Sequence, residues 1–206
     1  MSGPKETWSS YRSSIGDRSP LFAMLAEQWG IRNALYPGCY LDLSPSTAID
    51  SVTYVDVDDR AARFFAAPGI VASELGSRRA SCARVEFLHR DYTPPLPLPS
   101  EHFDLVISLY AGPVWDHCAS HLAPGGLLLA NTSHGDASLA ALDPALELVA
   151  AVQHRDARYR LDTERLDTYL VPKASGSPNA ESIRRSGRGI AYTKPAFAYV
   201  FRSLDR

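Results

Sequence analysis

Chemistry in this chain gathers where short apolar runs end. The run Val55-Asp56-Val57-Asp58-Asp59 puts carboxylates behind one such run, and Tyr36-Pro37-Gly38-Cys39-Tyr40 puts a glycine turn behind the one before it. A carboxylate at the end of a buried strand, about 20 residues past a glycine turn, is placed to accept hydrogen bonds from a ribose diol. Asp56 suits that contact best, because Asp58 or Asp59 is wanted as N-cap of the following helix. The competing reading gives all three acids to capping and solvation. Gly38 lets backbone approach a ligand closely, or simply makes a turn. Behind the third run stand Asp91 and Tyr92. Asp91 can accept from an amino group on a flat base and Tyr92 can stack on it; the alternative is a surface acid opening a proline-rich loop.

Two further groupings need weighing. His117 and His121 share a helical face beside Cys118, a spacing that can hold a metal. No glutamate stands between them and no distant third ligand announces itself, so a helix surface is expected and no metal. Arg184, Arg185 and Arg188 cluster in a stretch rich in basic residues. They could clamp a phosphate or carboxylate on a substrate, or touch RNA; otherwise they belong to a solvated loop.

The elements that must position these groups alternate. Apolar runs at Ala34–Tyr36, Val52–Val57, Val85–Leu88, Leu105–Leu109 and Leu127–Ala130 read as strands, and Asp59–Ala67, Ile70–Leu75 and Val114–Leu122 as helices. Buried strands alternating with helices predict a parallel sheet covered on both faces. Leu21, Leu25 and Trp29 recur at helical spacing between Ser19-Pro20 and Gly30, which predicts a helix started and stopped by those residues. Beyond Ala130 the pattern loosens: Asp136–Leu142 and Pro144–Val152 read as helix, or as helix then strand. Thr168–Val171 is a strand candidate, and Tyr192–Arg202 is a final strand. Lys173–Gly189 reads as a flexible basic loop with at most a short helix capped by Ser177-Pro178. Residues 1–19, rich in serine, read as an extended arm able to fold over the body, and 20–206 as a single domain.

Composition bounds the function. The 206 residues are 45% apolar, and 21 basic against 23 acidic side chains leave a net charge of −2. A chain this long can bury a core without staples. Three cysteines, Cys39, Cys82 and Cys118, make no disulfide framework, which points to reduced thiols and a cytoplasmic protein. No run approaches a membrane span of ~20 apolar residues, and Met1 to Pro20 lacks the apolar core of a signal peptide. Near-neutral charge argues against a surface built for nucleic acid. Secreted, membrane-spanning and histone-like classes are excluded on these grounds.

One segment carries a resemblance. Leu96-Pro97-Leu98-Pro99-Ser100-Glu101-His102-Phe103-Asp104-Leu105-Val106-Ile107-Ser108 resembles the approach to and passage of the fourth strand in class I S-adenosylmethionine-dependent methyltransferases. Leu122-Ala123-Pro124-Gly125-Gly126 is similar to that family's turn into strand five, and Val55-Asp56 to its acidic end of strand two. The matches come in the family's order and cover roughly Ile31 to Ser133. The resemblance implies a mostly parallel, seven-stranded Rossmann-like sheet with helices on both faces and an antiparallel edge hairpin at the C-terminus, and S-adenosylmethionine as cofactor. On it, Asp56 would hold the ribose hydroxyls and Asp91 the adenine amino group, with Tyr92 beside the ring. Gly38 would lie under the methionine part with Tyr36 before it, and Ser108 to Tyr110 would line the pocket floor. Where the family has several glycines after strand one, this chain has Gly38 alone, followed by Cys39 and Tyr40.

Methyl transfer asks for an aligned nucleophile and for exclusion of water. A base is needed only for an acceptor still protonated at working pH; Tyr110 and His134 are the candidates, each following a strand end. The expected function is therefore methylation of a small molecule, with Arg184, Arg185 and Arg188 on the substrate. The alternatives are a catalytically degenerate binding protein of the same fold, or an RNA methyltransferase using the basic loop.

Overall fold

The computed structural model describes residues 7–80, 83–174 and 179–204. The chain forms two compact units, residues 1–91 and 92–206.

In the first unit, β1 (Asn33–Pro37), β2 (Ser51–Asp56) and β3 (Arg84–His89) lie parallel in the order β3-β2-β1. Their registers align Pro37 with Val55 and Asp56 with His89, so all three carboxyl ends open on one rim. Helices α3 (Asp59–Phe65) and α4 (Pro68–Leu75) make the crossover from β2 to β3. The side chain of Asp58 caps α3 by accepting from the Arg60 N–H at 2.7 Å. Helix α2 (Ser19–Trp29) ends at Gly30, left-handed at φ 65°, whose N–H reaches the Ala26 carbonyl. Between β1 and β2 the link is only a 3-10 turn, Ser44–Thr47.

Residues 8–15 are helical where an extended arm was expected. Helix α1 (Trp8–Ile15) starts with a capping box in which Thr7 and Ser10 serve each other's N–H groups. It is tied to the unit by the Ser9 N–H on Glu74 at 2.7 Å, and Trp8 is wholly buried. Composition hid this, because one tryptophan can anchor a helix whose other residues are mostly small and polar.

In the second unit the strand order is β4-β5-β8-β6-β7. Strands β4 (Phe103–Ser108) and β5 (Leu122–Ala130) are parallel, whereas β8 (Ala198–Ser203), β6 (Leu146–Arg155) and β7 (Arg158–Asp162) continue antiparallel. The Pro124-Gly125-Gly126 turn lies inside β5, where the pairing with β4 shifts register. Helices α5 (Val114–Cys118) and α6 (Asp136–Ala140) follow β4 and β5.

Among the described residues there are eight strands where seven were expected. The difference is β7: Arg158-Tyr159-Arg160-Leu161-Asp162 alternates charge with apolar side chains, but offers too little apolar area to announce itself. The strand expected at Thr168–Val171 is instead a 3-10 turn, Leu166–Thr168, followed by Leu170 at φ 56°. Within the expected basic loop lies helix α7 (Ala180–Ser186), capped by the Asn179 side chain on the Ser182 N–H. The Ser177-Pro178 cap falls outside the described residues, as does Cys82.

Candidate functional site

The rim of the first unit is organised by Asp56. One oxygen of its carboxylate accepts from the Tyr40 N–H at 2.7 Å, and the other from the Asp58 N–H at 2.8 Å. The acid thus braces the turn after β1 against the turn after β2. Gly38, left-handed at φ 66°, donates its N–H to the Val55 carbonyl at 2.8 Å, and Tyr40 also adopts a left-handed backbone at φ 47°. A non-glycine residue there is strained, and the Asp56 bond helps hold it. A carboxylate can receive about four donors, so each Asp56 oxygen keeps acceptor capacity beyond its main-chain partner. Asp91 follows β3 on the same rim, one residue after Arg90, whose N–H meets the Asp56 carbonyl at 3.1 Å, and it is exposed.

Tyr36 serves differently. Its ring is buried and its hydroxyl donates to Asp42 at 3.2 Å, beside the Arg18–Asp42 ion pair at 3.0 Å. Burial pushes the phenol well above its ordinary value. Its side chain is committed to the interior, and only its main chain remains to meet a ligand. Above the turn, the Tyr40 ring meets Tyr11 of α1 edge-on at 4.9 Å and lies under the Arg60 guanidinium at 5.0 Å. Arg60 also holds the Asp58 carboxyl down to about 2, chiefly through their side-chain hydrogen bond.

The rim of the second unit lies at the carboxyl ends of β4 and β5. Ser108 is buried, and its carbonyl accepts the Asn131 N–H at 3.2 Å. Tyr110 stands at φ 60° with its ring half exposed; its N–H goes to the Asn131 side-chain oxygen at 3.3 Å, which also accepts from Ser133. His134 is exposed on the same loop. The Tyr92 hydroxyl accepts from the Gly112 N–H at 3.1 Å, and its ring approaches His117 at 6.4 Å. Tyr92 therefore braces the loop after β4.

Sequence reasoning missed two residues here. Asn131 cross-links both strand ends through main chain and side chain. Asp136 is 1% exposed and lies against the start of α5, where the Trp115 N–H approaches its two oxygens at 3.4 and 3.3 Å. Burial pushes its carboxyl up to about 6, against the pull of Ser108 and the Trp115 amide. The available signal was Gly135-Asp136 just behind a buried strand, where the sequence suggested only the start of a helix. The Cys118 thiol is pushed up to about 12 by burial and then by Asp136.

One member of the basic cluster is tied down. Arg184 binds Asp116 through two hydrogen bonds of 2.6 and 2.7 Å, and Ile183 is buried. A side chain at Gly189 would collide with the Thr132 carbonyl, and one at Gly135 would meet Ile183 at 2.6 Å. Ser138 accepts from both the Ile190 N–H and the Tyr192 hydroxyl, at 3.0 and 2.9 Å. Helix α7 is thus packed over the loop behind β5. Arg185 and Arg188 are exposed, while Arg184 is engaged with Asp116. His117 and His121 do not converge: His121 is buried against the Pro99 carbonyl at 3.0 Å, and His117 is exposed. Among the described residues no group of three or more His, Cys, Asp or Glu could hold a metal, and no helix is long and apolar enough to cross a membrane.

No family model and no curated protein matches the chain. Solved structures do. An O-methyltransferase from Bacillus cereus, solved with S-adenosylhomocysteine, aligns over 98% of this chain and 93% of its own, at 12% identity and a TM-score of 0.50. A protein from Corynebacterium glutamicum aligns over 97% and 88%, at 14% identity and a TM-score of 0.52. The chain spans less than half the length of the [4+2]-cyclase SpnF, matching 55% of itself to 44% of that enzyme at 20% identity and a TM-score of 0.42. At these identities the likeness is one of fold. The chain has the Rossmann-like fold of class I S-adenosylmethionine-dependent methyltransferases.

Proposed function

We propose that the chain is an S-adenosylmethionine-dependent methyltransferase acting on a small-molecule acceptor. The observation that carries this reading is the first unit's rim, where main-chain amides align Asp56 at the end of β2 beside the Gly38 turn. These residues fit a nucleoside. Asp56 retains acceptor capacity on both oxygens, as a vicinal diol requires, and Asp91 offers a carboxylate to an exocyclic amine. When bound, the cofactor would supply an electrophilic methyl group on a sulfonium.

The remaining work falls to the chain. Asp56 orients the ribose and Asp91 the base, while the main chain of Tyr36 to Gly38 passes beneath the methionine part. For a hydroxyl acceptor, Tyr110 or His134 takes the proton as the nucleophile forms its new bond. Arg185 and Arg188 meet an anionic group on the acceptor, and Arg184, through Asp116, fixes the helix that carries Arg185 and leads into Arg188.

Tyr40 supports a second reading, a nucleoside-binding relative that transfers nothing. It stands where the family places glycine, and its ring is packed by Tyr11 and Arg60. An RNA methyltransferase is less well supported, because Arg184 is engaged with Asp116. Titration calorimetry with S-adenosylhomocysteine, followed by transfer of labelled methyl from S-adenosylmethionine to a pool of small molecules, separates the readings. Heat with transfer supports the enzyme, heat without transfer supports the binding protein, and absence of heat removes both.

A further inference from the structure

Four rings meet on one face of the second unit. His154 and Tyr159 oppose each other across the β6–β7 hairpin and stack at 4.2 Å with planes 13° apart. Phe197, just before β8, packs steeply against both, at 5.5 and 5.3 Å, and Tyr110 extends the row at 6.5 Å from Phe197. Residues directly opposite on antiparallel strands share a face, and their neighbours take the other. Arg155 opposite Arg158, and Gln153 opposite Arg160, therefore occupy the reverse face, where Gln153 reaches the Tyr169 hydroxyl at 2.9 Å. The hairpin separates a ring face from a cationic face.

A cluster that merely anchored the hairpin would end within it and be buried. This one continues to Tyr110 in the loop behind β4, a ring 50% exposed on a left-handed backbone, and His154 is exposed as well. Strained residues of this kind gather at binding sites, and edge-to-face and stacked rings extend readily by one more ring. We propose that Tyr110 and Phe197 bind the flat aromatic ring of the acceptor by stacking. That the ligand is a methyl acceptor rests on the function proposed above; that the face takes a flat ring does not.

The test uses the full chain with 2-naphthol and its saturated counterpart decahydro-2-naphthol, read by saturation-transfer NMR and titration without cofactor. The expected result is binding of 2-naphthol alone, weakened tenfold or more by Tyr110→Ala and by Phe197→Leu. Affinity should stay within about twofold when salt is raised, because stacking is little screened. Circular dichroism checks that both variants fold, and Tyr110→Ala, which truncates a half-exposed ring, decides if Phe197→Leu does not. Equal binding of the two alcohols, unchanged affinity in Tyr110→Ala, or a tenfold loss with salt would overturn the proposal. S-adenosylhomocysteine is titrated in parallel. If it binds while 2-naphthol does not, the aromatic assignment fails and the methyltransferase reading stands. If 2-naphthol binds while S-adenosylhomocysteine does not, the aromatic assignment stands and the methyltransferase reading fails.

Discussion

The rims of the two units are built on different principles. In the first unit the acid at the strand end is clamped by two amides of its own chain, and the neighbouring turn is strained into a fixed shape. In the second, the loops behind β4 and β5 carry a half-exposed tyrosine, an exposed histidine and a buried acid whose carboxyl is pushed up by desolvation. A rigid grip suits an invariant ligand, whereas exposed side chains on loops suit one that varies. On the proposed reading, the first rim serves the cofactor and the second the acceptor.

The most severe way to break this contrast is to loosen the first unit. Trp8→Ala should cost ~3–5 kcal/mol, the usual loss for a buried aromatic, read as a drop in the denaturation midpoint. Trp8→Phe should cost far less, because the buried indole N–H has no hydrogen-bond partner among the described residues. If Trp8→Ala is neutral, α1 is not part of that unit's core.

A second test addresses the buried acid of the other rim. Asp136 has its carboxyl pushed up to about 6, so its folded state holds a proton more tightly than the unfolded chain does. Its contribution is therefore most favourable below pH ~4 and is lost as pH rises through about 6, by ~3 kcal/mol in all. Asp136→Asn should raise the melting temperature at pH 8 relative to the parent and lose that advantage near pH 4. A constant difference across pH would place the acid in water.

Asp56→Ala should weaken S-adenosylhomocysteine by ~1–3 kcal/mol, the scale of charged hydrogen bonds. It should also lower the melting temperature, since the Tyr40 and Asp58 amides lose their acceptor. A drop in stability with unchanged affinity would make Asp56 a brace only. The smallest effect belongs to Arg184→Ala. Its pair with Asp116 is half exposed on the arginine side, so it should cost under ~1 kcal/mol, seen as faster proteolysis near α7 with cofactor affinity unchanged.

The parallel elements were legible in the sequence because their evidence is local. Apolar runs marked β1 to β5 within a few residues, Gly30 marked the end of α2, and Asp58 was recognisable as a cap. Less legible were features that depend on partners distant along the chain. The aromatic row needs His154, Tyr159, Phe197 and Tyr110 to be brought together by pairing, and no periodicity in any one segment announces that. Helix α7 hides in a polar stretch because Ile183 alone anchors it. For Asp56 the sequence offered ligand holding or capping as alternatives. The structure adds a third role, in which its two oxygens bind the main chain of two different turns.

The central claim is that a nucleoside is gripped at the carboxyl-end rim of the first unit. A crystal structure with S-adenosylhomocysteine tests it most directly. The account predicts the ribose hydroxyls within hydrogen-bond distance of Asp56 and the base beside Asp91. A cofactor bound elsewhere, or a Tyr40 ring still packed on Tyr11 with no ligand present at saturating concentration, would contradict it.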